Sequence, residues 1–220
     1  MGQIKKGILG GVSGKVGNVV GGSWKGIDYL RVLPASVTNA NTESQVTQRY
    51  KFATVLKFLQ PMTGFLRIGF RGMAVKQTAF NAAMSYNYHN ALTGVFPDFA
   101  IDYAMAAVSQ GNLPKAINPA GTSDMAAKVT IAWEPNVGQG DASATDVAMV
   151  VVYNASQNDA IYVLDAGSRA DGTVTIDLPA SYSGDEVQCY VAFMVLGAAL
   201  VGQTKSTISN SVYAGNVTVL

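Results

Sequence analysis

The sequence predicts an α+β protein in which an N-terminal glycine-rich β-ribbon and two or three helices precede a C-terminal antiparallel β-sandwich. Three observations support this prediction. Eight glycines alternate with β-branched and aromatic residues over 7–34, two segments within 42–92 have helical periodicity, and short β-branched segments fill the chain after residue 101. We therefore expect two domains, a ribbon and helical region at 1–100 and a sandwich at 101–220.

The glycine-rich segment predicts two short strands. Glycine at this density weakens a helix, whereas the interleaved Val, Ile, Trp and Tyr residues fit an extended backbone. Lys25-Gly26 is placed to form the turn of a hairpin between Val16–Trp24 and Ile27–Leu33. Strands with so few large side chains have little core of their own, so we expect them to pack against the rest of the chain or against a second copy.

Two helices are predicted between the ribbon and the sandwich. The first begins after Thr42, which can cap it, and ends at Gln60-Pro61 because the residue before a proline avoids helical geometry. An apolar segment interrupted by glycines follows over Met62–Phe70. The second helix is predicted over Gln77–Leu92, with Thr93-Gly94 as its C-terminal cap.

Eight short strands are predicted in the C-terminal half. Their spacing, with turn residues between many of them, resembles the pattern of a fibronectin type III or immunoglobulin-like sandwich. Trp133 is expected to pack between the two sheets. The predicted strands are Asp102–Ser109, Ala127–Trp133, Val147–Tyr153, Ile161–Leu164, Val174–Leu178, Val187–Met194, Ser209–Tyr213 and Val217–Leu220.

Charged residues are few and unevenly distributed. They make up 13% of the chain, against about a quarter in average soluble domains, which favours an assembly that hides part of the surface. Residues 1–76 carry eleven Lys and Arg and two acidic residues, a net charge of +9, whereas residues 77–220 carry four basic and twelve acidic residues, a net charge of −8. Opposite charges on two parts of one chain favour a head-to-tail contact between copies.

We therefore predict a structural, self-assembling protein that forms head-to-tail homo-oligomers or filaments by adding its ribbon strands to a neighbour's sheet edge. The expected partners are other copies of the chain. The residues expected to make this contact are four on the ribbon and four aspartates of the sandwich, namely Lys15, Trp24, Lys25, Arg31, Asp141, Asp159, Asp171 and Asp185.

No residue cluster in the sequence predicts catalysis, a metal site or a cofactor. His89 is the one histidine and has no neighbours at ligand spacing, so neither a Ser-His-Asp triad nor a zinc site is expected. The Gly14-Lys15 pair does not complete the phosphate-binding motif GxxxxGK[ST]. Cys189 is the one cysteine, which excludes an internal disulfide, and we expect it to be a buried apolar residue.

Two other functions stay open. A monomeric binding module would hold a protein or glycan on its sandwich loops. A phage-like particle protein would place the basic N-terminal third, with Trp24, Tyr29 and Tyr50, against nucleic acid. Part of this charge belongs to the solvent-exposed face of an amphipathic helix, which argues against a nucleic-acid partner.

The N-terminus predicts the location. It lacks the uninterrupted apolar segment of a signal peptide. No segment reaches the roughly 20 apolar residues of a membrane span. We therefore expect a cytoplasmic protein, or part of a particle assembled in the cytoplasm.

Several phrases of the sequence resemble one family. GVSGKVGNVVGGSWKGIDYLR at the N-terminus, TESQVTQRYKFATVLKFLQP in the first predicted helix and SNSVYAG near the C-terminus are similar to an uncharacterised family of proteins of about this length from Bacteroidota. The resemblance spans the chain and implies a shared fold, but it carries over no catalytic residue. The opening block is also similar to the openings of small phage-like proteins.

Overall fold

A computed structural model describes residues 3–4, 10–36, 41–195 and 207–220. The chain forms two compact units, residues 1–45 and 46–220. The division falls within the first turn of a helix that begins at Glu43. The boundary expected between residues 100 and 101 lies inside the second unit, because helices and sandwich share a hydrophobic cluster there.

The first unit is the glycine-rich ribbon, a four-stranded antiparallel sheet in the order β1-β2-β3-β4. The predicted hairpin is confirmed. Lys25 and Gly26 have φ values of +47° and +81°, both positive as a type I′ turn requires. The expected first strand is divided, because a turn at Gly17-Asn18 interrupts it. The strands are β1 (Gln3–Ile4), β2 (Val12–Val16), β3 (Val19–Trp24) and β4 (Ile27–Val32).

Three helices open the second unit, with 3-10 turns at Gln60–Met62 and Arg71–Met73. The predicted cap of the first helix is confirmed, because the Gln45 backbone N–H donates to Thr42 Oγ1 at 3.4 Å. Thr78 caps the third helix in the same way, accepting from the Asn81 N–H at 3.0 Å. The helices are α1 (Glu43–Leu59), α2 (Thr63–Gly69) and α3 (Ala79–Asn90).

The predicted C-terminal cap of the third helix is wrong. Thr93-Gly94 lies in the hairpin formed by β5 (Leu92–Val95) and β6 (Asp98–Ile101). Gly94 has a φ of +88°, and a Cβ there would lie 2.2 Å from the Asp98 carbonyl oxygen. The glycine therefore permits the close approach of two strands instead of ending a helix.

The predicted strand at Asp102–Ser109 is also wrong. The Asp102 carboxylate accepts from the Ala104 N–H at 3.0 Å and folds this segment into a turn. Farther on, the buried Asn87 side chain accepts from the Ala107 N–H at 3.0 Å and donates to the Ala107 carbonyl oxygen at 2.8 Å. An amide side chain from α3 thus takes the place of a neighbouring strand.

Within the described residues, seven strands form a sandwich of two antiparallel sheets, in the orders β11-β8-β7 and β10-β9-β12-β13. The chain crosses between the sheets three times, as in Greek-key sandwiches. The predicted fold class is confirmed. Two details differ from the prediction. β7 was not predicted, and a single strand, β13, takes the place of the last two predicted strands. The strands are β7 (Ile117–Thr122), β8 (Lys128–Glu134), β9 (Val147–Asn154), β10 (Asp159–Val163), β11 (Thr173–Asp177), β12 (Glu186–Met194) and β13 (Val212–Thr218).

The four-stranded sheet of the sandwich is covered on both faces, and all eight residues of its strand β9 are buried. On one face Val150 and Val152 pack toward the other sheet. Trp133 lies in this cluster, as predicted, with its ring 5.6 Å from that of Phe193. On the other face the side chain of Tyr153 packs against the helices. The second unit therefore has three layers, helices on a sheet on a sheet.

The Cys189 thiol is expected to be inert in the folded protein. It is fully buried between the sheets, and burial raises its pKa to about 12. Because the folded pKa is far above neutrality, the reactive thiolate is scarce at pH 8. We expect no reaction with Ellman's reagent at pH 8 under native conditions and one equivalent in guanidinium chloride. Stoichiometric labelling of the folded protein within minutes would contradict this assignment.

Candidate functional site

One face of the ribbon carries three of the four residues predicted for self-association there. Directly paired residues of adjacent strands lie on the same face of a sheet, and the ribbon pairs Lys15 with Val20, Val20 with Arg31, and Trp24 with Ile27. The fourth predicted residue, Lys25, lies in the turn. We call this surface the aromatic–cationic face, formed by Lys15, Val20, Trp24, Ile27, Tyr29 and Arg31.

The opposite surface, the aliphatic face, is formed by Val16, Val19, Asp28, Leu30 and Val32. On this side of the ribbon the backbones of β2 and β3 approach each other closely, because a Cβ on Gly21 would lie 2.0 Å from the Val12 carbonyl oxygen. Only glycine fits at this position. Gly21 is the one buried residue of the described part of the ribbon.

The described part of the ribbon has no hydrophobic core of its own. On the aromatic–cationic face Trp24 is 52% exposed, and on the aliphatic face Leu30 and Val32 are 63% and 65% exposed. All six residues of β4 are exposed. Contiguous exposed apolar surface on both faces of a sheet is typical of a surface that binds a partner.

The outer edge of β4 has free hydrogen-bonding groups. The two-residue turn makes Trp24 and Ile27 a hydrogen-bonded pair, so alternate residues of β4 bond toward β3. The Leu33 N–H continues this alternation by donating to the Asn18 carbonyl oxygen at 2.7 Å. Asp28, Leu30 and Val32 therefore direct their N–H and C=O groups outward, and within the described residues no strand pairs with them.

Two of the predicted aspartates lie together at one end of the sandwich, near the end of β9. Asp159 accepts a hydrogen bond from the Tyr182 hydroxyl at 3.0 Å. Asp185 accepts from Asn154 Nδ2 and Gln157 Nε2, each at 2.7 Å, and these bonds lower the pKa of its carboxyl group. Both carboxylates thus hold the loops at this end together.

The other two predicted aspartates lie at the opposite end. Asp171 accepts from the Ser168 N–H at 2.7 Å, which lowers the pKa of its carboxyl group. Asp141 is exposed in the loop between β8 and β9. The structure therefore does not bring the four aspartates into one acidic surface.

Sequence reasoning missed a buried arginine at this second end. Arg169 is fully buried and donates to Asp146 Oδ2 at 2.9 Å, to Asn136 Oδ1 at 2.6 Å and to the Pro114 carbonyl oxygen at 2.9 Å. Its guanidinium carbon lies 3.9 Å from the centre of the Phe193 ring. The only signal in the sequence is that Arg169 is the one arginine of residues 77–220, whose other basic residues are lysines. Its contacts make it a structural residue that joins three loops.

Two of the cavities formed by the described residues lie on the helical side of the second unit. An apolar groove of about 610 Å³ runs between α1 and α3, lined by Phe52, Phe80, Met84, Tyr88 and polar neighbours. A smaller pocket of about 350 Å³ lies between α1, β6 and β9, and its walls include Lys57, Phe58, Phe99, Tyr103 and Tyr153. Burial raises the pKa of Tyr153 to about 12, so its hydroxyl stays protonated at neutral pH.

Comparison with known proteins places the chain in a family. A family profile matches residues 11–215. The chain belongs to the family of unknown function DUF6266. This membership confirms that the sequence comes from an uncharacterised family. No curated protein matches the chain.

One solved structure similar to this DUF6266 protein is the fibronectin type III domain of the human collagen alpha-1(XX) chain. The two are 17% identical, with a TM-score of 0.33, over 48% of this chain and 85% of that chain.

The described part of this DUF6266 protein lacks both metal-binding clusters and membrane-spanning helices. It contains no group of three His, Cys, Asp or Glu residues that could hold a metal ion. None of its described helices is long and apolar enough to cross a membrane.

Proposed function

We propose that this protein is a structural, self-assembling protein in which the ribbon of one copy binds the next copy. The observation that carries the proposal is the exposure of apolar side chains on both faces of the ribbon, whose described residues form no core. Trp24 and Leu30, on opposite faces, are each more than half exposed. Covering such residues in an interface contributes about 25 cal/mol for each Å² of apolar surface removed from water.

The charge distribution supports a head-to-tail arrangement. The described part of the ribbon carries Lys15, Lys25 and Arg31 against one acidic residue, Asp28. Residues 77–220, which form most of the second unit, have a net charge of −8. Contact between unlike surfaces is heterologous, and a heterologous contact produces a ring when the rotation closes and an open filament when it does not.

Analytical ultracentrifugation of the full chain tests the proposal at low and high salt. We expect species larger than the monomer that become smaller as salt screens the attraction. The double variant Trp24→Ser/Leu30→Ser is expected to sediment as a monomer, because it removes one exposed anchor from each face.

A matched control is Val95→Ser/Met105→Ser, which removes two exposed apolar residues outside the ribbon. It is expected to assemble like the unchanged protein. If the unchanged chain sediments as a monomer at every concentration and salt, self-assembly is rejected.

A second candidate function is small-ligand binding by a monomer. The supporting observation is the 350 Å³ pocket, in which the rings of Phe58, Tyr103 and Tyr153 lie within 5.1–6.0 Å of one another. Lys57 adds a cation to this aromatic wall. Such a pocket suits a small ligand with an apolar body and an acidic group. A monomer in the sedimentation experiment would favour this candidate.

A further inference from the structure

The self-assembly proposed above requires an edge that can accept the ribbon, and β11 is the open edge of the sandwich. The edge strand β10 lies against the helices, because Tyr162 packs on Gly64 and on the Phe65 ring at 6.2 Å. The edge strands β7 and β13 lie against each other, since a Cβ on Gly121 would lie 2.9 Å from Val217 Cγ2. Among the described residues, β11 pairs with β8 alone.

The hydrogen bonds at the two ends of β11 show which of its residues direct their backbone groups away from β8. The Trp133 N–H donates to the Gly172 carbonyl oxygen, and the Leu178 N–H donates to the Ala127 carbonyl oxygen, each at 2.8 Å. Even-numbered residues of β11 therefore bond toward β8. The N–H and C=O groups of Thr173, Thr175 and Asp177 point outward, and their side chains are exposed.

The two free edges match in length and period. The outer edge of β4 presents Asp28, Leu30 and Val32, and the outer edge of β11 also presents three alternate residues. If the two edges paired antiparallel with hydrogen bonds between all six of these residues, Asp28 would lie directly opposite Asp177. Like charges directly opposite each other destabilise a sheet.

A parallel pairing removes this conflict. In a parallel sheet, a residue that directs its N–H and C=O groups toward the next strand bonds to the two residues on either side of its direct partner. The outward residues of β4 therefore lie directly beside the even-numbered residues of β11, one position away from the antiparallel alignment. Arg31 then lies beside Asp177, and Leu30 lies beside Ile176 on the apolar side. One opposite-charge pair and one apolar pair favour this register.

We propose that β4 of one copy adds in parallel to β11 of the next copy, with Arg31 beside Asp177. The acceptor is thus a second copy of this chain. The contact joins different surfaces of the two copies, so it repeats along a ring or filament. The inference rests on the proposed function and specifies its two edges.

Disulfide trapping in the full chain tests this register. Tyr29 and Thr175 are aligned on the exposed face of the proposed pairing, and a disulfide forms only when the two Cα atoms come within about 7 Å. Tyr29→Cys/Thr175→Cys is expected to give a ladder of covalent oligomers on a non-reducing gel after mild oxidation. The buried Cys189 can stay in place.

Two control pairs sharpen the result. Tyr29→Cys/Tyr162→Cys places the second cysteine on the edge strand β10, which lies against the helices, and we expect no ladder. Ile27→Cys/Asp177→Cys joins positions four residues apart in the parallel register, and we expect no ladder. A ladder from either control, or a disulfide within one chain from the test pair, overturns the proposed pairing.

Charge reversal gives a second measurement. Arg31→Glu is expected to weaken assembly about tenfold, as repulsion replaces attraction, and Arg31→Glu/Asp177→Arg is expected to restore it. If the unchanged protein assembles but the test pair gives no ladder and the reversal no rescue, this inference fails while the proposed function stands. If the unchanged protein is monomeric, both fail.

Discussion

Replacing Arg169 with methionine is expected to lower the free energy of unfolding of the second unit by about 3–5 kcal/mol, the range for removal of one partner of a buried ion pair. The Asp146 carboxylate is 1% exposed and would stay buried without its cation. Asn136 Oδ1 and the Pro114 carbonyl oxygen would lose their donor as well. Urea unfolding followed by circular dichroism measures the change.

The chain offers a matched control in its other described ion pair. Lys128 Nζ lies 2.8 Å from Asp177 Oδ1, and the two side chains are 42% and 83% exposed. Exposed pairs contribute about 0–1 kcal/mol, so Lys128→Met is expected to have little effect on the free energy of unfolding. If Arg169→Met and Lys128→Met unfold at the same urea concentration, the structural role assigned to Arg169 is wrong.

Features that depend on neighbouring residues were predictable from the sequence. Thr42 caps α1 because its hydroxyl meets an N–H three residues later, and Lys25-Gly26 fits a two-residue turn. The buried strands β9 and β12 were predictable from their apolar runs. The alternation of residues about the Lys25-Gly26 turn also placed Trp24 and Arg31 on one face, whereas Lys15 joins them through the turn at Gly17-Asn18, which was not predicted.

Features set by distant partners were not predictable. Asn87 displaces a strand because its amide meets the backbone of Ala107, twenty residues later. Arg169 is buried because Asp146, Asn136 and Pro114 converge on it from 23, 33 and 55 residues away. In the local sequence SRADG it is indistinguishable from a solvated turn residue.

The four predicted aspartates do not form one surface, for a related reason. Each was selected for its charge in a loop, yet a carboxylate in a loop is also a good acceptor for nearby N–H groups. Asp159 and Asp185 accept such bonds at one end of the sandwich, and Asp171 accepts one at the other end. The net negative charge of this half therefore lies over the surface of the sandwich, without one focus.

The second large effect is expected from Phe58→Ala, which tests whether helices and sandwich unfold together. Phe58 is 2% exposed, and its ring lies 5.1 Å from that of Tyr153 and 5.9 Å from that of Tyr103. Phe-to-Ala substitutions at such positions lower the free energy of unfolding by about 3–5 kcal/mol. The exposed Phe52 of the same helix supplies the control, and Phe52→Ala is expected to cost under about 1 kcal/mol.

The two signals of the unfolding experiment report different layers. Far-ultraviolet circular dichroism follows the helices, and Trp133 fluorescence follows the interface between the sheets, provided that Trp24→Phe removes the other tryptophan. Because α1 packs on the sheet whose opposite face contacts Trp133, Phe58→Ala is expected to shift both transitions by the same amount. A helical transition that moved while the Trp133 transition stayed in place would instead support separate domains divided near residue 100.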